Sequence, residues 1–181
     1  ADVTGVGTAR NSLGAAGYGT DKAIFGYGKS SSNVSLTNLV NNSGVVAADV
    51  TGVGTARKSL GAAGYGTDKA IFGYGEGASA SSLTNLVSNT GVVSADVAGV
   101  GTAREHVAAA GYGTDKAIFA YGHNGSSYVS MSNLVSNSGV VAADVSGVGS
   151  VRGLLGAAGY GGDKAIFGYG YTGSANVSIT N

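Results

Sequence analysis

Short segments with the patterns of β-strands, separated by turn-forming residues, recur along the chain. In its first 50 residues an apolar, small-residue run occupies 13–18, and a β-branched and aromatic run follows at 23–27. Segment 34–40 begins with strict apolar–polar alternation, and a further apolar segment spans 45–50. Alternation with a period of two and β-branched or aromatic runs are typical of strands. The pattern therefore predicts four short strands.

The whole pattern is then repeated at intervals of about 47 residues. The ten residues that begin at Ala1 return at Ala48, Ala95 and, in looser form, Ala143, and the aspartates Asp2, Asp49, Asp96 and Asp144 mark the period. Self-similarity at such a period is typical of a repeat architecture. We divide the single repeat domain 1–181 into units 1–47, 48–94, 95–142 and 143–181, of which the last is incomplete.

Four antiparallel strands in about 45 residues are typical of one β-propeller blade. Strand 23–27 is apolar on both faces, as expected for a sheet packed between neighbours. The small residues of 13–18 suit a crowded position near a propeller axis. The alternative is a β-solenoid, but its coils usually have shorter periods. We predict an all-β β-propeller of four-stranded antiparallel blades, about four in this chain, and expect it to belong to a larger array.

Composition excludes several classes of protein. The chain has 34 glycines but no proline and no cysteine, and lysine plus arginine balance aspartate plus glutamate at ten each. Zero net charge argues against nucleic-acid binding, which draws on an excess of basic residues. The apolar runs are far shorter than the roughly 20 residues that span a bilayer, so we expect no membrane insertion. Disulfides are excluded.

The charges that every repeat shares have two interpretations. They form either a ring of ligand-facing sites or structural contacts, in which arginine joins neighbouring blades and the Thr-Asp-Lys segment makes a turn. We favour the structural interpretation. The structural repeat residues are Arg10, Arg57, Arg104, Arg152, Asp21, Asp68, Asp115 and Asp163.

Positions that differ between repeats fall in two places, directly after the arginine and between the second and third strands. In a four-stranded meander these two places emerge on the same side, so we expect one variable face. Loops on a rigid scaffold commonly carry binding residues, although neutral drift explains such variation equally well. The ligand-binding candidates are Lys29, Lys58, Glu76, Glu105, His106, His123, Asn124, Tyr128 and Tyr171.

Two histidines and two tyrosines carry the candidate chemistry of this face. His106 and His123, with Glu105, would suit a metal or acid–base site, but without a firm third ligand we favour solvent-exposed loop histidines. Tyr128 and Tyr171 would suit stacking on sugar rings. We find no nucleophile–base set and no phosphate loop. We therefore expect no enzyme, no catalytic residues, no metal and no cofactor.

The repeat resembles a known family at several points. Thr8-Ala9-Arg10, segments 13–16 and 23–28, and Leu39-Val40 are similar to the Kelch repeat, which implies a β-propeller. The near-verbatim repeats are also similar to those in structural proteins of tailed bacteriophages, including tail-fibre proteins. That similarity implies a virion or extracellular location, with other fibre or virion subunits or surface glycans as partners.

Three functional hypotheses follow. The first is a structural or adhesion β-propeller in a virion or extracellular fibre, which contacts its target through the variable loops. The second is a stand-alone carbohydrate-binding lectin that uses Tyr128, Tyr171 and Asn124. An enzyme built on His106, His123 and Glu105 ranks last.

Overall fold

Strands are the only extended regular elements that residues 3–181 form in the computed structural model. Ala1 and Asp2, the first of the period-marking aspartates, lie outside these described residues. The all-β prediction is confirmed, and no described segment is a helix of the length and apolarity needed to cross a membrane. The strands are β1 (Gly14–Tyr18), β2 (Lys22–Gly26), β3 (Thr37–Val40), β4 (Gly61–Tyr65), β5 (Lys69–Gly73), β6 (Thr84–Val87), β7 (Ala108–Tyr112), β8 (Lys116–Ala120), β9 (Ser132–Val135), β10 (Gly156–Tyr160) and β11 (Lys164–Gly168).

Each repeat forms one small antiparallel sheet. The strand orders are β1-β2-β3, β4-β5-β6 and β7-β8-β9, and the fourth repeat contributes the two-stranded sheet β10-β11. The hairpin register is the same in every repeat: Gly14 pairs with Gly26 at one end of the first hairpin, and Tyr18 pairs with Lys22 at its turn. The predicted strands 13–18, 23–27 and 34–40 thus correspond to the three strands of the first sheet.

The predicted fourth strand at 45–50 is not continuous. Val46 and Val50 form isolated bridges with Val40 and Thr37. Between them, the side-chain amide of Asn38 donates to the Ala47 carbonyl at 3.1 Å and to the Asp49 carboxylate at 2.9 Å. A side chain therefore provides the hydrogen bonds that a partner strand would otherwise make, and the prediction of four-stranded sheets is wrong in this respect.

Neighbouring sheets pack through a phenylalanine that fills a space left by two glycines. The Phe72 ring is fully buried and lies edge-to-face against Tyr27 of the preceding repeat, with centroids 5.2 Å apart. A Cβ atom added at Gly14 would lie 3.2 Å from the Phe72 ring, and one added at Gly26 would lie 2.6 Å from it. The glycines are thus required by a facing aromatic ring.

The same interface recurs between the second and third repeats and, slightly loosened, between the third and fourth. Phe119 packs on Gly61 and Gly73, with its centroid 5.1 Å from that of Tyr74. In the last interface Ala108 and Ala120 replace the glycines, and the Phe167 centroid lies 5.8 Å from that of Tyr121. The added methyl groups explain the larger separation, because the space beneath the ring is already fully occupied in the glycine version.

Three of the four shared arginines lie in the same interfaces. The Arg57 guanidinium is fully buried and sits 4.5 Å above the Tyr27 ring of the preceding repeat. It donates to the Tyr74 carbonyl at 2.8 Å and to the side-chain oxygen of Asn85 at 2.5 Å. Burial lowers the pKa of Arg57 and raises the pKa of Tyr27 to about 12. Arg104 and Arg152 stack on Tyr74 and Tyr121 in the same way.

In the first three repeats an asparagine connects the arginine to the aspartate that begins the next repeat. Asn85 is fully buried and donates to the Asp96 carboxylate at 2.9 Å, which also accepts the Thr55 hydroxyl at 2.7 Å. Burial alone would raise the pKa of Asp96, but hydrogen bonds from Thr55 and Asn85 outweigh it and lower that pKa. The linker between two sheets is thereby fixed to both of them.

Candidate functional site

The two groups of variable positions pair with each other in every repeat. Backbone N–H and carbonyl groups of each pair exchange two hydrogen bonds of 2.8–3.0 Å. We call these eight residues the variable ladder: Asn11 with Lys29, Lys58 with Glu76, Glu105 with His123, and Gly153 with Tyr171. The pairs continue each hairpin beyond its open end, so one folding feature brings both variable groups together.

Backbone hydrogen bonds join the ladder pairs of successive repeats. Ser59 N–H donates to Ser12 O at 2.8 Å, His106 N–H to Ser59 O at 2.8 Å, and Leu154 N–H to His106 O at 3.3 Å. All four of these residues have a positive φ, between 53° and 60°. The four pairs therefore lie side by side in chain order and form one continuous surface.

The centre of the ladder is a partly buried group of charges from the second and third repeats. Lys58 Nζ lies 2.7 Å from Glu76 Oε2, and this contact raises the pKa of Lys58 and lowers that of Glu76. Burial, and then the hydrogen bond with Glu76, raise the pKa of Glu105. Glu76 is thus the member that ionises first, while Glu105 retains its proton to higher pH.

Both histidines face the same carboxyl group. His123 Nδ1 lies 3.4 Å from Glu105 Oε1, and His106 Nδ1 lies 4.0 Å from Glu105 Oε2. His123 Nδ1 also accepts the Gly125 N–H at 3.2 Å. Within residues 3–181, no group of three or more His, Asp or Glu side chains has the arrangement of a metal site. The structure thus brings His106, His123 and Glu105 together, and both imidazoles are partly buried rather than fully exposed.

An aromatic row extends the ladder toward the fourth repeat. The His123 and Tyr128 rings are 4.9 Å apart, and the Tyr128 and Tyr171 rings are 5.8 Å apart and nearly perpendicular. Tyr128 lies against Gly153, where an added Cβ would come within 2.8 Å of its ring. The loops of the third and fourth repeats are one residue longer than those of the first two, as their closing bridges show.

The remaining ligand-binding candidates differ in how many of their polar atoms already form hydrogen bonds within the protein. The side-chain oxygen of Asn124 accepts the N–H groups of Ser126 and Ser127 at 3.0 and 2.8 Å. Only its amide nitrogen therefore remains for a ligand. Lys29 is exposed at the first-repeat end of the ladder, next to the Asn33 side chain that reaches the Glu76 carbonyl at 3.1 Å.

Sequence reasoning missed a cavity of about 440 Å³ at the turn end of the hairpins, opposite the ladder. Equivalent residues of all four repeats line it, including Tyr65 and Lys69 of the second. Neighbouring turns there are joined by backbone hydrogen bonds such as Gly19 N–H to Asp68 O at 2.6 Å. The shared aspartates thus belong to turns that also connect repeats, and Asn89 donates to the Asp68 carboxylate at 3.0 Å.

Sequence reasoning also missed the asparagines that accept from the arginines, of which Asn38, Asn85 and Asn133 are buried. The signal was available, because Asn38, Asn85, Asn133 and Asn181 are as invariant among the repeats as the arginines. Asn181 at the end of the chain accepts from both Arg152 Nη2 at 2.7 Å and the Tyr121 hydroxyl at 2.9 Å.

Comparison of the chain with models of protein families and with curated protein sequences found no match.

Proposed function

We propose that the chain is a non-enzymatic structural and adhesion module that contacts its target through the variable ladder and its loops. The observation that carries the proposal is the division of roles among positions. Residues shared by the repeats fill the interfaces, as Phe72, Arg57 and Asn85 do, whereas the residues that differ meet on one continuous surface. A scaffold that keeps its core and varies one surface is suited to recognition.

We infer further that the sheets are the blades of a β-propeller. Neighbouring sheets pack face to face, and equivalent hairpin turns of four repeats surround one cavity, as inner blade strands surround an axis. The similarity to Kelch and tail-fibre repeats agrees with this arrangement. It is also the ground for placing the module in a virion or extracellular fibre, with other subunits of that fibre as partners.

A stand-alone carbohydrate-binding lectin is the second candidate, and the aromatic row favours it. Tyr128 and Tyr171 present two perpendicular rings at the surface, and tyrosine combines an apolar face with a polar tip. The free amide nitrogen of Asn124 lies in the same loop. Such a combination suits the apolar face and hydroxyl groups of a sugar.

An array of immobilised glycans probed with the full chain tests the ladder directly. We expect Tyr128→Ala and Tyr171→Ala to weaken binding at least tenfold, while Lys116→Ala, at the opposite end of the hairpins, leaves it unchanged. Equal binding by all variants would refute the ladder as the contact surface. The composition of the native particle separates the candidates, because a fibre component migrates with other subunits of the fibre, whereas a lectin migrates only with copies of itself.

A further inference from the structure

The first and fourth repeats each expose one half of the interface that joins the repeats internally. On the fourth repeat, Tyr169 is 65% exposed, whereas its counterparts Tyr27 and Tyr74 are fully buried. Ile166 is 40% exposed, whereas its counterparts Ile24 and Ile71 are fully buried. We call Gly156, Ile166 and Tyr169 the tail face.

On the tail face, the space above Gly156 that would receive a phenylalanine ring is open. A Cβ added at Gly61, the counterpart of Gly156, would lie 2.9 Å from the Phe119 ring of the next repeat. A Cβ added at Gly156 would meet only the Gly168 carbonyl oxygen, at 4.0 Å. No ring therefore occupies the space above Gly156, and a Cβ added at Gly168, the counterpart of Gly26, would meet only the Thr180 Cγ2 atom, at 3.1 Å.

The first repeat carries the complementary half. Phe25 is half-buried, while its counterparts Phe72 and Phe119 are fully buried. Phe25, Leu13, Arg10 and Val6 line an apolar groove of about 790 Å³. We call these four residues the head face. Val6 is included because the backbone carbonyl of Val53, its counterpart in the second repeat, accepts a hydrogen bond from the Tyr27 hydroxyl.

We propose that the tail face of one chain binds the head face of a second copy and reproduces the internal interface. Phe25 of the second copy enters the space above Gly156 of the first. The Arg10 guanidinium of the second copy covers the Tyr169 ring of the first, as Arg57 covers Tyr27 at 4.5 Å. The Tyr169 hydroxyl of the first copy donates to the Val6 carbonyl of the second copy. Three internal equivalents of that bond exist: Tyr27 to Val53 at 3.1 Å, Tyr74 to Val100 at 3.2 Å, and Tyr121 to Val148 at 3.1 Å.

The backbone supports the same arrangement. Each internal interface has a bond from a glycine N–H to the carbonyl of the next arginine: Gly28 to Arg57 at 2.9 Å, Gly75 to Arg104 at 2.7 Å and Gly122 to Arg152 at 3.0 Å. Gly170 is the fourth member of this series, and Arg10 of a second copy supplies its acceptor. Because the two faces differ, the contact is heterologous, and it produces either a closed ring or an open filament.

Sedimentation equilibrium of the full chain over a range of concentrations tests the proposal. We expect a mass that rises above 17.4 kDa to two or more copies. A Cβ added at Gly156 meets no atom of the monomer closer than 4.0 Å, so Gly156→Gln is expected to occupy the space above Gly156 and to remain at the monomer mass. Ser31→Gln, an exposed loop change, is the control and is expected to associate like the unmodified chain. A monomer at every concentration, or association by Gly156→Gln, would overturn the proposal.

A mixing experiment adds directionality. Phe25→Ala disables the head face, and Gly156→Gln disables the tail face, so each variant alone is expected to stay monomeric. An equimolar mixture is expected to form pairs and nothing larger, because each pair uses the one intact face of each partner. Failure of the mixture to form pairs, while both variants keep the circular dichroism of the unmodified chain, would contradict head-to-tail binding.

Discussion

Truncation of Phe72 to alanine is expected to lower the free energy of unfolding by about 3–5 kcal/mol. The ring is fully buried and fits the space above Gly14 and Gly26, so few atoms are free to refill the void. A buried phenylalanine removes about 150 Å² or more from water, which at about 25 cal/mol per Å² amounts to about 4 kcal/mol. The range of about 3–5 kcal/mol also includes the loss of the edge-to-face contact between the Phe72 and Tyr27 rings.

Phe25→Ala is the matched control, because the residue has the same place in its repeat but is only half-buried. We expect it to cost about half as much as Phe72→Ala. Urea unfolding followed by tyrosine fluorescence measures both variants, in the Gly156→Gln background so that self-association makes no contribution. A loss below about 1 kcal/mol for Phe72→Ala, or equal losses for the two variants, would refute the assigned role of the interface ring.

Three further predictions concern the turns and the buried network. Thr67 has a φ of 68°, which is strained for a β-branched residue, and the fourth repeat has Gly162 at this position, so Thr67→Gly should raise the free energy of unfolding by about 0.5–1 kcal/mol in urea titrations. Asn85→Leu should cost about 3 kcal/mol in the same assay, because it leaves Nη2 of the buried Arg57 without its acceptor; a loss below about 0.5 kcal/mol would contradict this. Since the folded pKa of Asp96 is lowered, its contribution to stability is present above about pH 4 and disappears as the pH falls through the folded value. In the Asp96→Asn variant, the melting temperature should therefore fall less steeply with decreasing pH. An unchanged dependence of melting temperature on pH would contradict the stabilising role of the Asp96 carboxylate.

The all-β class and the first three strands of each repeat were predictable, because alternation and β-branched runs are local signals. The fourth strand was not, because the Asn38 side chain takes over hydrogen bonds that a continuous partner strand would make. Local patterns do not show such competition. The need for glycine at 26 was equally hidden, since the ring that requires it, Phe72, is distant in the sequence.

The candidate site was predictable in location but not in detail. Variation between repeats and the connectivity of a meander were enough to place both variable groups on one side. The direct pairing of Glu105 with His123, and the burial that raises the pKa of Glu105 beside Glu76, depend on register and packing. The head and tail faces differ from the internal interfaces only in the exposure of residues such as Tyr169, whose counterparts are buried, and the sequence does not show exposure.

The most direct test of the division between scaffold and variable surface is the stability of a repeat-swap variant. In this variant Glu105, His106 and segment 123–128 are replaced by their first-repeat counterparts, Asn11, Ser12 and segment 29–33. Urea unfolding should give a free energy within about 1 kcal/mol of the unmodified chain, because surface positions rarely contribute more. A loss as large as that of Phe72→Ala would show that the variable ladder is part of the scaffold and would contradict the account.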